Sequence, residues 1–321
     1  MLSIKTNGAA IGALDILRAT IDGRGETQSR VTTGYRVAQA SDDAAYWSIA
    51  TTMRSDNKAL SAVEDALGMA GAIVDTAYNG VDSAVDVMQE IKTRMVLARE
   101  PGVDRDKINT EIVELKEQLK TITHASSFSG QNWLWRTDVA DDAPKQLVGS
   151  FRRDADGGVT VTNVDYDVAG VAGTSEVNFL IDDVSGDSGI LTGSGFAAEL
   201  GTAKSWVMFN GESGPTYDEM VLNDSVTDTE IEEMISVIDA MAERATDVGT
   251  TLGALVTRVE LQSGFVMDLQ DSIHYGVGKM VDADMDLEST RLKALETKEQ
   301  LGIQALAIAN ASTEPLISLL R

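Results

Sequence analysis

Several groups of acidic residues in this chain could in principle bind a metal ion. Asp282, Asp284 and Asp286 alternate like the first ligands of a calcium-binding loop. Such a loop also needs a glycine at its sixth position, which is missing here, and a glutamate at its twelfth, where the sequence has Lys293. We therefore interpret the three aspartates as the acidic beginning of a helix, where they interact favourably with the positive end of the helix dipole.

The other arrangements that could support chemistry are weaker. The two histidines, His124 and His274, have no partner at a spacing typical of metal ligands. Asp182 and Asp183 could act as an acid–base pair, but adjacent side chains on a strand point to opposite faces. The sequence therefore predicts no catalytic residue, no metal site and no cofactor, and we expect that the protein is not an enzyme.

The charge of the chain is strongly negative and unevenly distributed. The net charge is −25 over 321 residues, which argues against partners such as nucleic acid or an anionic membrane surface. Residues 138–240 contain 21 acidic and 4 basic residues, so most of the excess lies in the middle third. There is no cysteine, and we find neither an apolar run long enough for membrane insertion nor a cleavable signal at the N-terminus. An acidic, solvent-facing middle between more balanced flanks is the simplest interpretation.

Long helices must form most of the flanking regions. Apolar residues follow one another at alternating steps of three and four, the spacing that places a single apolar stripe along a helix. In the first long segment the residues that form this apolar seam are Leu60, Val63, Leu67, Ala70, Val74, Ala77, Val81, Ala84, Met88, Ile91 and Met95. Similar seams run from Ile108 to Ile122 and from Leu252 to Ile273, where Gln262 occupies an otherwise apolar position. The core of an ordinary helical bundle would give the same pattern.

The two chain ends carry shorter apolar stripes that also predict helices. The residues concerned are Ile4, Ile11, Leu14 and Ile21 near the start, and Leu292, Leu295, Ile303 and Leu306 near the end, followed by Leu319 and Leu320. Glycines interrupt the first stripe, and each destabilises an isolated helix by roughly 1 kcal/mol relative to alanine. Such helices should become stable only when they are packed, and we expect another subunit to cover them.

The middle of the chain has a different pattern. Residues 147–153 and 159–164 alternate like strands around a turn at Asp154, and 177–181 and 206–209 are further candidate strands. Helical periodicity returns near Thr229 and continues to about His274, with a break expected at Gly276 and Gly278. We predict a mainly α fold, in which both chain ends form a long antiparallel helical rod with coiled-coil terminal helices. A small β-rich central module completes this fold.

At both ends the sequence closely resembles the bacterial flagellins. The matching positions include Arg30, Gly34, Arg36, Asp42, Asp43, Ala44, Ala45 and Arg54 in the N-terminal signature, and Asp282, Asp284, Asn310 and Arg321 in the C-terminal one. The stretch 44–54 is most similar to that of alphaproteobacterial, rhizobial-type flagellins. The resemblance covers about residues 1–137 and 235–321 and leaves the middle undefined.

This resemblance implies a structural subunit that polymerises into the flagellar filament for swimming motility. It implies three regions: 1–40 with 282–321 as a coiled coil lining the filament, 41–137 with 235–281 as a helical shell, and 138–234 as a variable surface module. The terminal helices would fold on assembly. The expected partners are other copies, sister flagellins, the type III export apparatus, an export chaperone, and hook-associated and cap proteins. The expected location is the extracellular filament.

Two alternatives and one departure accompany the resemblance. A hook–filament junction protein shares the terminal signatures, and a filament subunit could carry a binding or enzymatic activity in its acidic middle. In flagellins detected by the Toll-like innate receptor, a motif resembling Gln-Arg-Val-Arg-Glu-Leu lies on the long helix. The matching stretch here begins Gln89-Glu90 and ends at Arg94, so a basic residue is replaced by an acid and an apolar one by arginine. We expect poor recognition by that receptor.

Overall fold

The computed structural model describes residues 7–154, 156 and 158–311, and these divide into two compact units. Unit 1 comprises the described residues within Met1–Lys58 and Leu269–Arg321, and unit 2 comprises those within Ala59–Asp268. Both units draw on the same two long helices, α2 (Ala44–Leu97) and α5 (Asp228–Val281). The mainly α fold predicted from the sequence is confirmed.

Unit 1 contains the helices from the two ends of the described chain. Helix α1 (Gly8–Thr33) is capped by the side chain of Asn7, which accepts a hydrogen bond from the backbone N–H of Ala10. Helix α6 (Met285–Ala311) follows α5 after a short connection. A small apolar cluster of Val37, Ala50, Val277 and Val281 joins the connection after α1 to the adjoining ends of α2 and α5.

In unit 2, α2 and α5 pack against each other in antiparallel orientation. Gly71 of α2 faces Val259 of α5, and Val81 of α2 faces Gly249 of α5. Residue numbers therefore rise along α2 while those of the facing residues on α5 fall, as expected for antiparallel helices. The eleven predicted seam positions from Leu60 to Met95 lie on α2, and we call them the α2 seam. All eleven are buried, with exposed fractions of 6% or less. The seam prediction is confirmed, because a three–four spacing selects one face of a helix whatever its partner is.

Helix α3 (Arg105–Ala125) runs back along this pair. It begins after Asp104, whose side chain accepts a hydrogen bond from the backbone N–H of Lys107 at 3.3 Å. Arg105 binds the beginning of α5 through Asp228 and the carbonyl oxygen of Val226.

The prediction of a helix break at Gly276 and Gly278 is wrong. Helix α5 continues without interruption to Val281. Within unit 1, a Cβ atom on Gly276 would lie 3.5 Å from the end of Met53. Packing of this kind stabilises a helix that local propensity alone would end.

The middle of the chain, all in unit 2, contains eight strands, one short α-helix and one 3-10 helix (Val139–Asp142) among the described residues. The strands are β1 (Ser127–Phe128), β2 (Gln131–Asn132), β3 (Trp135–Arg136), β4 (Lys145–Arg153), β5 (Val159–Tyr166), β6 (Ile181–Asp182), β7 (Trp206–Val207) and β8 (Asp218–Glu219), and the α-helix is α4 (Gly195–Leu200).

Each sheet of this module has two strands among the described residues. The predicted hairpin is confirmed as the antiparallel pair β4–β5, whereas the other two candidate strands are only two residues long. β6 pairs with β3, and β7 pairs with β8, both in parallel. The candidate strands are short because their residues, such as Phe179, Leu180 and Met208, are buried in an irregular core rather than on one face of a sheet.

Candidate assembly interface

Helices α1 and α6 lie antiparallel in unit 1 and pack through small residues. A Cβ atom on Gly302 would lie 3.1 Å from Leu17, and one on Gly23 would lie 3.9 Å from Leu295. At the start of α1, the side-chain amide of Asn7 donates a hydrogen bond of 2.8 Å to the carbonyl oxygen of Ala309, near the end of α6. Glycine at these contacts allows the two helices to approach closely.

Ion pairs fix the register of the two helices. Arg24 contacts Glu299 at 2.5 Å, and Arg30 contacts Glu288 at 3.6 Å. Glu288 is only 4% exposed and is the one buried residue of α6 in the described chain. Arg30 is a position of the N-terminal signature, so the contact assigns it a structural role between the chain ends.

Other signature residues form the turns that connect α1, α2, α5 and α6. Gly34 adopts a left-handed conformation with φ 76°, and its N–H donates to the carbonyl oxygen of Arg30 at 2.8 Å, ending α1. Its own carbonyl oxygen accepts a hydrogen bond of 2.8 Å from the N–H of Ala283. Arg36 donates through its backbone N–H to Val281 and through its side chain to Met280. These bonds join the end of α1 to the end of α5.

The signature aspartates cap helices and turns. Asp43 accepts hydrogen bonds from the N–H groups of Ala45 and Tyr46 at the start of α2, and Asp284 does the same at the start of α6. Asp42 accepts from the N–H groups of Gln39 and Ala38, and these bonds lower the pKa of its carboxyl group. The signature aspartates therefore have a structural role in the connections between helices rather than a chemical one.

The remaining signature positions surround the same connection. The Arg54 guanidinium lies 5.1 Å from the centre of the Tyr35 ring, and Tyr35 forms an antiparallel bridge with Asp282. Ala44 and Ala45 begin α2 and are exposed, and Asn310 lies on the last turn of α6. Arg321 lies outside the described residues.

The α1–α6 pair leaves most of its apolar side chains in contact with solvent. Among the described residues of α1 only Thr20 and Thr27 are buried. We call the exposed apolar residues of the two helices the terminal apolar surface: Ile11, Ile16, Ile21, Met285, Leu287, Leu301, Ile303 and Ile308, with exposed fractions between 41% and 71%. Two helices alone cannot bury this much apolar area, and an uncovered patch of this kind indicates an interaction surface.

The predicted assembly residues fall into three groups in the structure. Ile11, Ile21 and Ile303 are exposed and belong to the terminal apolar surface. Leu14, Leu292, Leu295 and Leu306 are half-buried. Ile4, Leu319 and Leu320 lie outside the described residues. Ile16 and Leu287 lie outside the predicted stripes and are also exposed, because these helices are apolar on more than one face.

The receptor-motif positions lie in unit 2, on the exposed side of α2. Glu90 and Arg94 form an ion pair at 2.7 Å within the helix, and Arg94 also contacts Glu111 of α3 at 3.3 Å. Gln89 is exposed nearby. The two departures from the receptor motif therefore interact with each other and with α3.

Neither a membrane segment nor a metal-binding cluster is found in the described part of the chain. No described helix is both long and apolar enough to span a bilayer. No group of three or more histidine or acidic side chains among the described residues is arranged to hold a metal ion.

Paired terminal helices with an uncovered apolar surface define a helical structural protein that assembles with further subunits. The family models agree with this class: the bacterial flagellin N-terminal helical region matches residues 4–138, and the bacterial flagellin C-terminal helical region matches residues 235–320. The chain belongs to the bacterial flagellin family and is a structural subunit of the flagellar filament.

Relatives match over the full length of the chain. Flagellin C of Rhizobium meliloti strain 1021 is 48% identical and covers 99% of both chains. A flagellin A of Rhizobium meliloti is 40% identical and a flagellin of Brucella melitensis 37%, each covering 100% of both chains. The crystal structure of Bacillus cereus flagellin is similar over 62% of this chain and 86% of its own, but its 14% identity and TM-score of 0.38 are too low to support a conclusion. The resemblance to rhizobial flagellins is confirmed, and a hook–filament junction protein is not favoured.

Proposed function

We propose that the α1–α6 pair and the terminal apolar surface form the main contact through which this subunit polymerises. The observation that carries the proposal is the exposure of Ile11, Ile16, Ile303 and Ile308 on helices that bury almost nothing by themselves. Isolated helices of this kind gain most of their stability from tertiary or quaternary packing. Folding of the chain ends is therefore completed by assembly.

The proposed filament has three layers along the radius. Residues 1–40 and 282–321 line the interior, 41–137 and 235–281 form the surrounding helical shell, and 138–234 face solvent. The concentration of acidic residues in 138–240 supports the outer position, because charged side chains are best solvated there.

The proposed route of the subunit is export followed by assembly outside the cell. Family membership supports passage through the flagellar type III apparatus with an export chaperone, and contact with hook-associated and cap proteins at the ends of the filament. Copies of this chain and sister flagellins are the partners within the filament. The extracellular filament is the proposed location.

We propose no catalytic role for the acidic middle. Residues 138–234 contain no histidine or cysteine. The carboxylates of Asp182 and Asp183 are engaged, because Asp182 binds Arg136 at 2.9 Å and Asp183 accepts a hydrogen bond from the Trp135 ring N–H at 2.6 Å. These contacts support a structural role for both acids.

Electron microscopy of the full chain after addition of ammonium sulfate tests polymerisation. Sulfate strengthens apolar burial, so the full chain should form filaments whereas a chain truncated before Asp284 should not. Short caps or closed rings would instead indicate a junction protein. Failure to assemble even on flagellin seeds would refute the proposal.

A point variant locates the contact more sharply. Ile16→Ala removes an apolar side chain that is 68% exposed in the subunit. Burial of an isoleucine contributes about 1.5–3 kcal/mol, so the critical concentration for assembly should rise at least about tenfold, with an unchanged subunit fold by circular dichroism. Val161→Ala, in the central module and 52% exposed, is the matched control and should assemble normally. Equal effects of the two changes would place the contact elsewhere.

We also propose that the subunit activates the Toll-like innate receptor poorly, because Glu90 and Arg94 replace a basic and an apolar residue of the recognised motif. A reporter-cell assay beside an enterobacterial flagellin tests this. Comparable activation by the two proteins at equal concentration would contradict it.

A further inference from the structure

A cavity of about 120 Å³ lies in unit 2 between the β4–β5 hairpin and the helices α2 and α5. Its apolar wall is formed by Leu67 of α2, Leu147 and Val164 of the hairpin, and Val259 of α5, and all four side chains are buried. The volume is close to that of an engineered cavity of about 150 Å³ that binds benzene. The cavity is therefore large enough for an aromatic ring or a short branched alkyl group.

The hairpin is bent over the cavity by a bulge. The register of β4 with β5 shifts between Val148 and Ser150, so that Gly149 is the extra residue. A Cβ atom on Gly149 would lie 3.1 Å from the carbonyl oxygen of Thr162 and 3.2 Å from Val164. Glycine at this position therefore lets β4 and β5 approach each other closely beside the cavity.

Two polar side chains of α5 line the same cavity. Arg258 and Gln262 are four residues apart and so project from one side of the helix. The apolar seam from Leu252 to Ile273 lies on α5, and we call it the α5 seam. Within this seam Gln262 occupies the position between Val259 and Val266. A glutamine at such a position weakens a purely structural core, which suggests a use other than packing.

Neither of these side chains has a partner within the described chain. The structure places no hydrogen bond or ion pair on the guanidinium of Arg258 or the amide of Gln262 among the described residues. The arginines at 94, 99, 105, 136, 152 and 244 in unit 2 all bind a carboxylate or an amide oxygen. In a chain with 51 acidic residues, the lining of this cavity contains none.

We propose that this cavity binds a small amphipathic carboxylate. The apolar part of the ligand occupies the space between Leu67, Leu147 and Val259. Its carboxylate accepts hydrogen bonds from the Arg258 guanidinium and the Gln262 side-chain amide at the opening. A charge-assisted contact with arginine is the strongest polar interaction available there, and a cationic ligand would find no counter-charge. This inference is independent of filament formation.

Benzoate is a suitable probe, with benzyl alcohol as the uncharged ligand of similar shape. Calorimetric titration and saturation-transfer NMR on the full-length monomeric chain should detect saturable benzoate binding, with benzyl alcohol at least tenfold weaker. Arg258→Gln should weaken benzoate about tenfold, because a hydrogen bond to a charged group is lost, and should leave benzyl alcohol unchanged. Arg18→Gln makes the same change of charge on exposed α1 and should leave benzoate binding unchanged.

Gln262→Leu separates a binding role from a packing role. Leucine completes the α5 seam, so the unfolding midpoint of the free protein should be unchanged or higher while benzoate binds several-fold more weakly. A fall in both the midpoint and benzoate affinity would mean that Gln262 serves the fold, and would overturn its assignment to ligand binding. Absence of saturable binding, or equal loss in Arg18→Gln and Arg258→Gln, would overturn the site itself.

Discussion

Any side chain at Gly80, in the interior of α2, should destabilise the fold. Alanine normally stabilises an exposed helix interior over glycine by about 1 kcal/mol. At Gly80, however, a Cβ atom would lie 2.2 Å from the Ser126 hydroxyl, 2.8 Å from the Ser126 Cβ and 2.7 Å from Leu134. Rotation of a side chain cannot move the Cβ of Ser126, so the backbone at the end of α3 must shift.

The expected cost follows from these distances. Overpacking of a well-packed core costs roughly 1–3 kcal/mol, and three simultaneous contacts below van der Waals distance place Gly80→Ala near the upper end. After the gain in helix propensity, we expect the free energy of unfolding to fall by about 2 kcal/mol. Gly68→Ala, on the same helix, is the matched control because nothing lies within 4 Å of its Cβ position. It should raise the free energy of unfolding by up to about 1 kcal/mol.

Urea unfolding of the full chain measures both changes. In a Trp47→Phe background the three remaining tryptophans all lie in unit 2, so their fluorescence follows that unit alone. The free-energy changes are obtained from the shifts in midpoint at the wild-type slope. If Gly80→Ala were as stable as Gly68→Ala, the close approach of Ser126 to α2 would not be a real constraint, and the reasoning would be refuted.

Two further predictions concern the turn after α3 and the polar centre of the middle module. Ser129, with φ 52°, is the one non-glycine residue with a left-handed backbone in the described chain, and it forms a tight turn with Gly130 between β1 and β2. Ser129→Asn should raise the free energy of unfolding by up to about 1 kcal/mol, because asparagine tolerates this conformation, whereas Ser127→Asn on the strand should give no gain in the same urea assay. Asp182 is fully buried, and although burial alone would raise its pKa, hydrogen bonds from Ser185, Ser188 and Arg136 hold the pKa below the ordinary 3.8. The stabilisation of the fold by the ionised Asp182 carboxylate is therefore complete above pH 3.8, and it is lost as the pH falls through the lower pKa that this group has in the folded state. Asp182→Asn should lower the free energy of unfolding by about 3 kcal/mol at pH 7 and by less at pH 3, and a difference that does not change with pH would contradict this assignment.

The sequence by itself determined the parts of this fold that depend on local periodicity and capping. The α2 seam is buried along its whole length, the Asp104 cap begins α3, and the β4–β5 hairpin forms at the predicted turn. Each of these follows from which side chains share a face or from which side-chain oxygen can reach a backbone N–H. Such information is contained in a few neighbouring residues.

The terminal interface could be predicted only in part. Periodicity placed Ile11, Ile21 and Ile303 on the apolar stripes of the terminal helices, and the family signature included Gly34, which ends α1, and Asp284, which caps α6. Neither could show that Arg30 contacts Glu288 or that Leu17 lies against Gly302, because these residues are far apart in the chain. The predicted division into three regions remains a prediction.

Only the tertiary structure decided what happens where distant segments meet. In the folded chain α5 continues through Gly276 and Gly278, Ser126 lies against Gly80, and Asp182 is buried beside Arg136. The tertiary structure also encloses the cavity between Arg258, Gln262 and the hairpin. The physical reason is that steric exclusion, desolvation and charge pairing depend on which side chains are within a few ångströms in space. Spacing along the chain fixes that distance only within one turn of a helix or one pair of strands.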